Sequence, residues 1–251
     1  SILVFASIFM GSVTFLCVNT FISCMDADSY IEHYLHNDYV LYGDGESDNS
    51  KPQATMADIA DQMRSIPGMG TVEANRSAKV RLPFDAELYA PFIESEDDPE
   101  SLATFYETTT NSEAQYGAPL ISVNSDMIKL YNKTARQKID IDAFEKGEVC
   151  LIGYVDSISA SERMTDKALT LVNDQTGRKR QISVGAAMMR TEQSAITAGY
   201  YWTLGGAPEA IFVSDAVMDD LFPDAEISCI IADAEKGKES EVTPYVQRIV
   251  K

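Results

Sequence analysis

The first 25 residues carry no charged side chain, and this stretch constrains the fold more than any other part of the sequence. Folded as a helix it would extend ~37 Å, which is enough to cross a bilayer core of ~30 Å. A helix in the core of a soluble domain is rarely this long without a polar face. We therefore predict that residues 1–25 form a transmembrane helix. Its large apolar side chains are Ile2, Leu3, Val4, Phe5, Ile8, Phe9, Val13, Phe15, Leu16, Val18, Phe21 and Ile22.

Three other interpretations of residues 1–25 remain open. A cleaved signal peptide usually has a shorter apolar region with a basic segment before it. Because the sequence starts at Ser1 without a Met or a basic flank, we expect it to be part of a longer chain. A lipid anchor on Cys24 is the second alternative, since "FISC" loosely resembles a lipobox, although Phe21 fits that motif poorly. A buried core helix is the third.

The charge of the chain limits its partners. Asp and Glu outnumber Lys and Arg by 39 to 20, which gives a net charge of -19. Such a surface repels nucleic acid and anionic lipids, so we expect no nucleic-acid partner and a purely hydrophobic membrane attachment. Residues 26–50 contain acidic side chains but no Lys or Arg, whereas cations favour the cytoplasmic flank of a span. The sequence therefore predicts a cell-membrane protein whose bulk is extracytoplasmic.

The cysteines and histidines do not form a metal-binding pattern. The four cysteines are Cys17, Cys24, Cys150 and Cys229, and no two of them have CxxC spacing. Cys150 and Cys229 lie in apolar runs, which predicts buried free thiols, with a disulfide between them as the alternative. His33 and His36 have helical i, i+3 spacing, but we interpret them as solvated residues rather than metal ligands.

No catalytic or nucleotide-binding motif stands out. "EKGKES" (235–240) lacks the earlier Gly of a phosphate loop, and HExxH, GxSxG and strand-linked GxGxxG motifs are missing from the sequence. We therefore expect no enzymatic activity, no cofactor and no metal site. The single Trp202 is interpreted as a core residue rather than a ligand contact.

Helix and strand patterns alternate after residue 37 and indicate an α/β or α+β class. Capping residues and apolar spacing predict helices after Thr55, Ser125 and Ser214, over Ile141–Glu145, and from Thr243-Pro244 onward. Strands are predicted in "DYVLYGD", over 70–82, 119–123 and 148–154, in a hairpin around Asn173–Gly177, and on both sides of the Ser214 helix. In the last strand, Ile227, Cys229 and Ile231 should share one face.

Two apolar stripes lie near the ends of the chain. Tyr30, Ile31, Tyr34 and Leu35 form a stripe on a stalk that should continue the first helix to about residue 37. Tyr245, Val246, Ile249 and Val250 form the other on the terminal helix. Each stripe is too apolar to be exposed to water alone, so we predict that the stalk and the terminal helix pack on each other.

Several segments, in order and spacing, resemble the MacB/FtsX-type ABC transporter permeases. "MADIADQMRSIPGMGTV" resembles the family's helix-to-"IPGV" turn, and "IDIDAFEKGEVCLIG" is similar to its "G-x-x-F…D…v-v-l-G" stretch without the Gly before the Phe. "APEAIFVSDAVMDDLFPDAEISCIIADA" resembles the strand–helix–strand that leads back to the second span.

The resemblance implies an outer domain between the first two of four spans. It implies a porter-like part over 38–93 and 207–251 and a sabre-like part over 94–206. It also implies a membrane partner set: a cytoplasmic ATP-binding subunit that the outer domain does not contact, and a second permease in a homodimer or heterodimer. The expected function is export or extracytoplasmic handling of a peptide, antibiotic or lipoprotein-type substrate. A lipid-anchored extracytoplasmic binding protein is the main alternative, and a membrane-tethered enzyme is another.

Overall fold

The computed structural model describes residues 37–43, 55–83, 117–155, 158–189 and 210–250. These ranges belong to one unit that spans Asn37–Lys251. The predicted span, the stalk, His33, His36 and Trp202 lie outside the described residues. None of the helices in the described ranges has the length and apolar character of a membrane span.

Eight strands and six helices occupy the described ranges. The strands are β1 (Tyr39–Tyr42), β2 (Met69–Arg81), β3 (Gly117–Ser122), β4 (Val149–Val155), β5 (Ala168–Val172), β6 (Lys179–Met189), β7 (Ala210–Val213) and β8 (Ile227–Ala234). The helices are α1 (Met56–Arg64), α2 (Ser125–Thr134), α3 (Ile141–Glu145), α4 (Ile158–Met164), α5 (Asp215–Leu221) and α6 (Glu239–Ile249). The predicted mixed class is confirmed, because the strands form a mixed sheet with helices packed against it.

The strand order is β1-β8-β2-β3-β7-β4-β6-β5, and β5 also pairs with β2. The pairs β3–β7 and β4–β6 are parallel, and the remaining pairs are antiparallel. β2 is long enough to serve two parts of the sheet: residues 69–76 pair with β8, and residues 77–81 pair with β3. The single Arg81–Val172 pairing closes β2, β3, β7, β4, β6 and β5 into a ring.

Three apolar clusters fill this architecture. The first lies within the ring, where alternate residues of β3, β4 and β7 meet Val217, Met218 and Leu221 of α5. The second lies on the opposite face of these strands beneath α2 and α3, and includes the buried Tyr131 and Phe144. The third joins α1 and α6 to one face of the small sheet β1-β8-β2.

Most of the predicted elements are confirmed, often to within two residues. Thr55 caps α1 through a capping box with Asp58, and the Asn173–Gly177 hairpin joins β5 to β6. The predicted cap at Ser125 is wrong: Asn124 is the cap, and its Oδ1 accepts the N–H of Met127 at 2.9 Å. An Asn side chain at that position satisfies a helix N–H that would otherwise lack an acceptor.

The predicted start of the last helix is also wrong. α6 begins at Glu239, and Pro244 lies inside it. Placing Pro244 inside the helix costs one backbone hydrogen bond, because proline has no N–H. The earlier turn offsets this cost, because it buries Val242 completely and lets the Val242 N–H donate to the Lys238 carbonyl at 3.0 Å.

The predicted common face of Ile227, Cys229 and Ile231 is wrong for one residue. Cys229 and Ile231 belong to the cluster beneath α2, whereas Ile227 packs against the cluster beneath α1 and α6. A register shift between β2 and β8 at Asn75 and Arg76 interrupts the alternation of faces.

The predicted division into porter-like and sabre-like parts stays a prediction. β3, β4, β5 and β6 fall in the range predicted as inserted, and they share one sheet with β1, β2, β7 and β8 from the flanking ranges. The same sheet thus joins strands from both predicted parts.

Candidate functional site

The beginning of the unit is tied to its end by a group of hydrogen bonds, which we call the entry junction (Asn37, Asp38, Tyr39, Asp233, Ala234). Both carboxylate oxygens of Asp233 take part: Oδ2 accepts from Asn37 Nδ2 and Oδ1 accepts from the backbone N–H of Asp38, each at 3.0 Å. In return, Asp38 Oδ2 accepts the N–H of Ala234 at 2.8 Å. The chain therefore enters the unit beside the last strand.

The same junction reaches the terminal helix. The Tyr39 hydroxyl donates to the Glu239 carbonyl at 3.1 Å and lies 2.9 Å from the Thr243 Oγ1. β1 pairs along β8 from Tyr39–Ala232 to Tyr42–Cys229, so the first strand and the last helix both lie against β8. This geometry fixes where the chain enters relative to the start of α6.

The terminal-helix residues predicted to pack on the stalk differ in their exposure within the described part of the chain. Val246 is buried and Ile249 packs beside it in the cluster with α1, whereas Tyr245 and Val250 are 47% and 51% exposed. The buried face of α6 runs through Val242 and Val246 at i, i+4 spacing, and Tyr245 and Val250 lie at its margins. The stalk residues Tyr30, Ile31, Tyr34 and Leu35 lie outside the described residues, so packing against the stalk stays a prediction.

Glu73 is a half-buried carboxylate on the face of β2 near the start of α2. Burial raises the pKa of Glu73, and the carboxylates of Asp126 and Asp233 add to this effect, while the Asn124 side chain opposes it. Its Oε2 has no hydrogen-bond partner within the described part of the chain. The ionised form of Glu73 is thus less favourable in the folded protein than in a solvent-exposed Glu.

We expect Glu73→Gln to flatten the dependence of stability on pH. Because the pKa of Glu73 is raised above the ordinary 4.5, its contribution is fully present below that pH and is lost as pH rises through the folded pKa. The variant should therefore gain stability at neutral pH, by less than about 1 kcal/mol after solvent screening. Urea unfolding at several pH values measures the stability of both proteins. If the wild type gains stability relative to the variant as the pH rises, the prediction is wrong.

Cys150 and Cys229 are buried and free, which confirms the prediction of buried thiols and excludes a disulfide between them in this structure. Burial raises the pKa of each thiol to about 12. Among the described residues, no group of three or more His, Cys, Asp or Glu side chains is placed to hold a metal ion.

A cleft of about 670 Å³ opens where the ring closes, and we call it the seam cleft. It lies between the end of β2, the β5–β6 turn and the loop that follows α5. The charged and aromatic side chains that line it are Lys79, Arg81, Asp174, Arg178, Phe222 and Asp224. Across the seam, Arg81 Nε and Asp174 Oδ1 form an ion pair at 2.5 Å.

Sequence reasoning missed both the entry junction and the seam cleft. Asp38 and Asp233 are 195 residues apart and are ordinary acidic residues in an acidic chain. The available signal was positional: both lie at an end of a predicted strand. Lys79, Arg81 and Arg178 come together only when the ring closes, which no local pattern indicates.

Comparisons with known proteins give structural matches only. A scan against protein-family models found no match, and a search of curated proteins found none. Two transporter domains are among the solved structures that are similar to this chain. One is the periplasmic region of MacB from Actinobacillus actinomycetemcomitans, with 12% identity, a TM-score of 0.42, and coverage of 84% of this chain and 82% of the other. The other is the extracellular domain of the noncanonic ABC-type transporter YknZ from Gram-positive bacteria, with 13% identity, a TM-score of 0.43, and coverage of 84% and 90%. The names of these two structures, MacB and an ABC-type transporter, agree with the family that the sequence segments resemble.

Proposed function

We propose that this chain provides the first membrane span and the extracytoplasmic domain of an ABC transporter permease subunit. A cytoplasmic ATP-binding subunit hydrolyses ATP, and the spans transmit the resulting movement to the outer domain. That domain handles a peptide, antibiotic or lipoprotein-type substrate, and two permease subunits pair in the complete transporter. The chain itself carries out no catalytic step. The sequence segments that resemble MacB/FtsX-type permeases support this proposal.

The observation that carries the proposal furthest is the entry junction. A domain inserted between two spans must leave the membrane and return to it, so its first and last elements should lie together. Asp233 holds the start of β1 against the end of β8, and Tyr39 reaches the first turn of α6. A domain anchored at one end alone has no need for this arrangement, so the junction favours an inserted domain.

The partner is tested by purifying the complete protein from its native membrane through an affinity tag. We expect an ABC-type ATP-binding subunit to co-purify, and ATP hydrolysis to appear in the complex but not in the isolated chain. Recovery without any ATP-binding protein, together with a diacylglyceryl mass on the peptide that contains Cys24, would instead support the lipid-anchored binding protein.

The location is tested by labelling intact cells with a membrane-impermeant maleimide. Gln175 is exposed in the β5–β6 turn, so Gln175→Cys in a background with Cys17→Ser and Cys24→Ser provides one accessible thiol. The buried Cys150 and Cys229 should stay unlabelled in the matched parent. We expect labelling of the variant in intact cells; labelling only after lysis would place the domain on the cytoplasmic side.

A further inference from the structure

Glu73 lies beside the entry junction on one face of the small sheet. In the ladder between β2 and β8, Thr71 pairs with Asp233 and Glu73 pairs with Ile231. Residues two apart on a strand share a face, and the Thr71 hydroxyl donates to Asp233 Oδ2 at 3.2 Å, so Glu73 and Asp233 are diagonal neighbours on that face. Such neighbours lie about 7–8 Å apart, which is within reach of a long side chain.

The surroundings of Glu73 carry more negative than positive charge. Asp233 approaches from β8 and Asp126 from the first turn of α2, where Lys129 forms an ion pair with Asp126 at 2.6 Å. Asp38, beside β1, contributes a further carboxylate to the entry junction. Glu73 takes part in none of the ion pairs formed among the described residues. Ionised Glu73 therefore adds a second negative charge next to Asp233 without a cation of its own.

The Glu73 carboxylate is poorly placed to be solvated. Its Oε2 is buried and has no hydrogen-bond partner within the described part of the chain. Burial raises the pKa of Glu73, and the carboxylates of Asp126 and Asp233 raise it further. Asp233 in turn uses both of its oxygens to hold Asn37 and Asp38. A charge on Glu73 therefore acts on the group that ties the start of the unit to β8.

We propose that Glu73 is a proton-sensitive switch for the entry junction. Ionised Glu73 repels Asp233 and loosens its hold on Asn37 and Asp38, whereas protonated Glu73 is neutral and lets the junction close. β1 is therefore held more firmly in mildly acidic than in alkaline solution. The inference does not depend on the proposed transporter function, because it concerns only contacts within the unit.

Hydrogen exchange read by mass spectrometry tests the switch in the full chain in a non-ionic detergent. The rates for residues 37–43 are corrected for the intrinsic pH dependence of amide exchange. Because the pKa of Glu73 is raised above 4.5, the contribution of its neutral form is complete below that pH and is lost as pH rises through the folded pKa. Protection of β1 in the wild type should therefore rise at least about threefold from about pH 8 to about pH 5.

Two variants separate the charge of Glu73 from other effects of pH. Glu73→Gln keeps the size of the side chain and removes its charge, so its β1 amides should be protected as in the wild type at about pH 5, with less than about a twofold change over the same range. Glu162→Gln removes one charge from an exposed position on α4 and should keep the pH dependence of the wild type.

An NMR titration of the Glu73 carboxyl carbon, assigned by the loss of its signal in Glu73→Gln, tests the link to Asp233. Asp233→Asn removes the neighbouring charge, so the affinity of Glu73 for a proton should fall at least about twofold. The proposal is overturned if β1 protection in the wild type does not rise toward acidic pH, or if Glu73→Gln keeps the pH dependence. It is also overturned if Glu162→Gln abolishes that dependence, or if Asp233→Asn leaves the titration of Glu73 unchanged.

Discussion

Val242→Asp should lower the free energy of unfolding by more than about 3 kcal/mol, the cost expected for an unpaired charge in an apolar core. Val242 is fully buried among side chains of α1, α6 and the small sheet, and no cation belongs to that cluster as described. The Asp side chain must therefore be protonated, or α6 must leave the sheet. Chemical denaturation measures the loss, and near-ultraviolet circular dichroism shows whether tertiary packing survives.

Tyr245→Asp is the matched control on the same helix. Tyr245 is 47% exposed, and its ring faces the Arg248 guanidinium with a centroid distance of 5.7 Å. Losing this contact should cost no more than about 1 kcal/mol at an exposed site. Equal losses for the two variants would contradict the assigned orientation of α6. A larger loss for Tyr245→Asp would instead support the predicted packing of Tyr245 against the stalk.

The fold was predictable wherever its signal was local. Thr55 with Asp58 three residues later is a capping box, and Asn173–Gly177 carries the turn chemistry of a hairpin. The start of α6 was not predictable in this way, because Thr243-Pro244 imitates a helix start. Burial of Val242 outweighs that signal. α4 was missed because its segment is short and rich in Ser, which carries a weak helix signal.

The candidate sites depend on contacts that are remote in sequence, and this is why sequence reasoning did not find them. Residue pairs such as Arg81 and Asp174 meet only because β2 reaches both β3 and β5. Periodicity predicts which residues of a strand share a face, but it does not specify which strands become neighbours. The register shift opposite Asn75 shows the same limit within one strand pair.

Asp233→Ala should loosen the entry junction and destabilise the unit by about 1–2 kcal/mol. The change leaves the Asn37 amide, the Asp38 N–H and the Thr71 hydroxyl without their acceptor, since Thr71 Oγ1 also donates to Asp233 at 3.2 Å. Each lost bond is worth about 0.5–1.5 kcal/mol net, and water replaces part of it at these exposed positions. The loss should be local, so the amides of β1 should exchange with solvent faster than those of β4.

Hydrogen exchange read by mass spectrometry measures this difference, with Asp233→Asn and Thr71→Val as controls. Asp233→Asn keeps one acceptor oxygen, so its effect should lie between those of wild type and Asp233→Ala. Thr71→Val removes a single donor and should change stability by less than about 1 kcal/mol. If Asp233→Ala leaves exchange in β1 unchanged, Asp233 does not hold the chain at its point of entry. The paired ends would then give no support to an inserted domain, and the proposed permease would rest on the sequence resemblance alone.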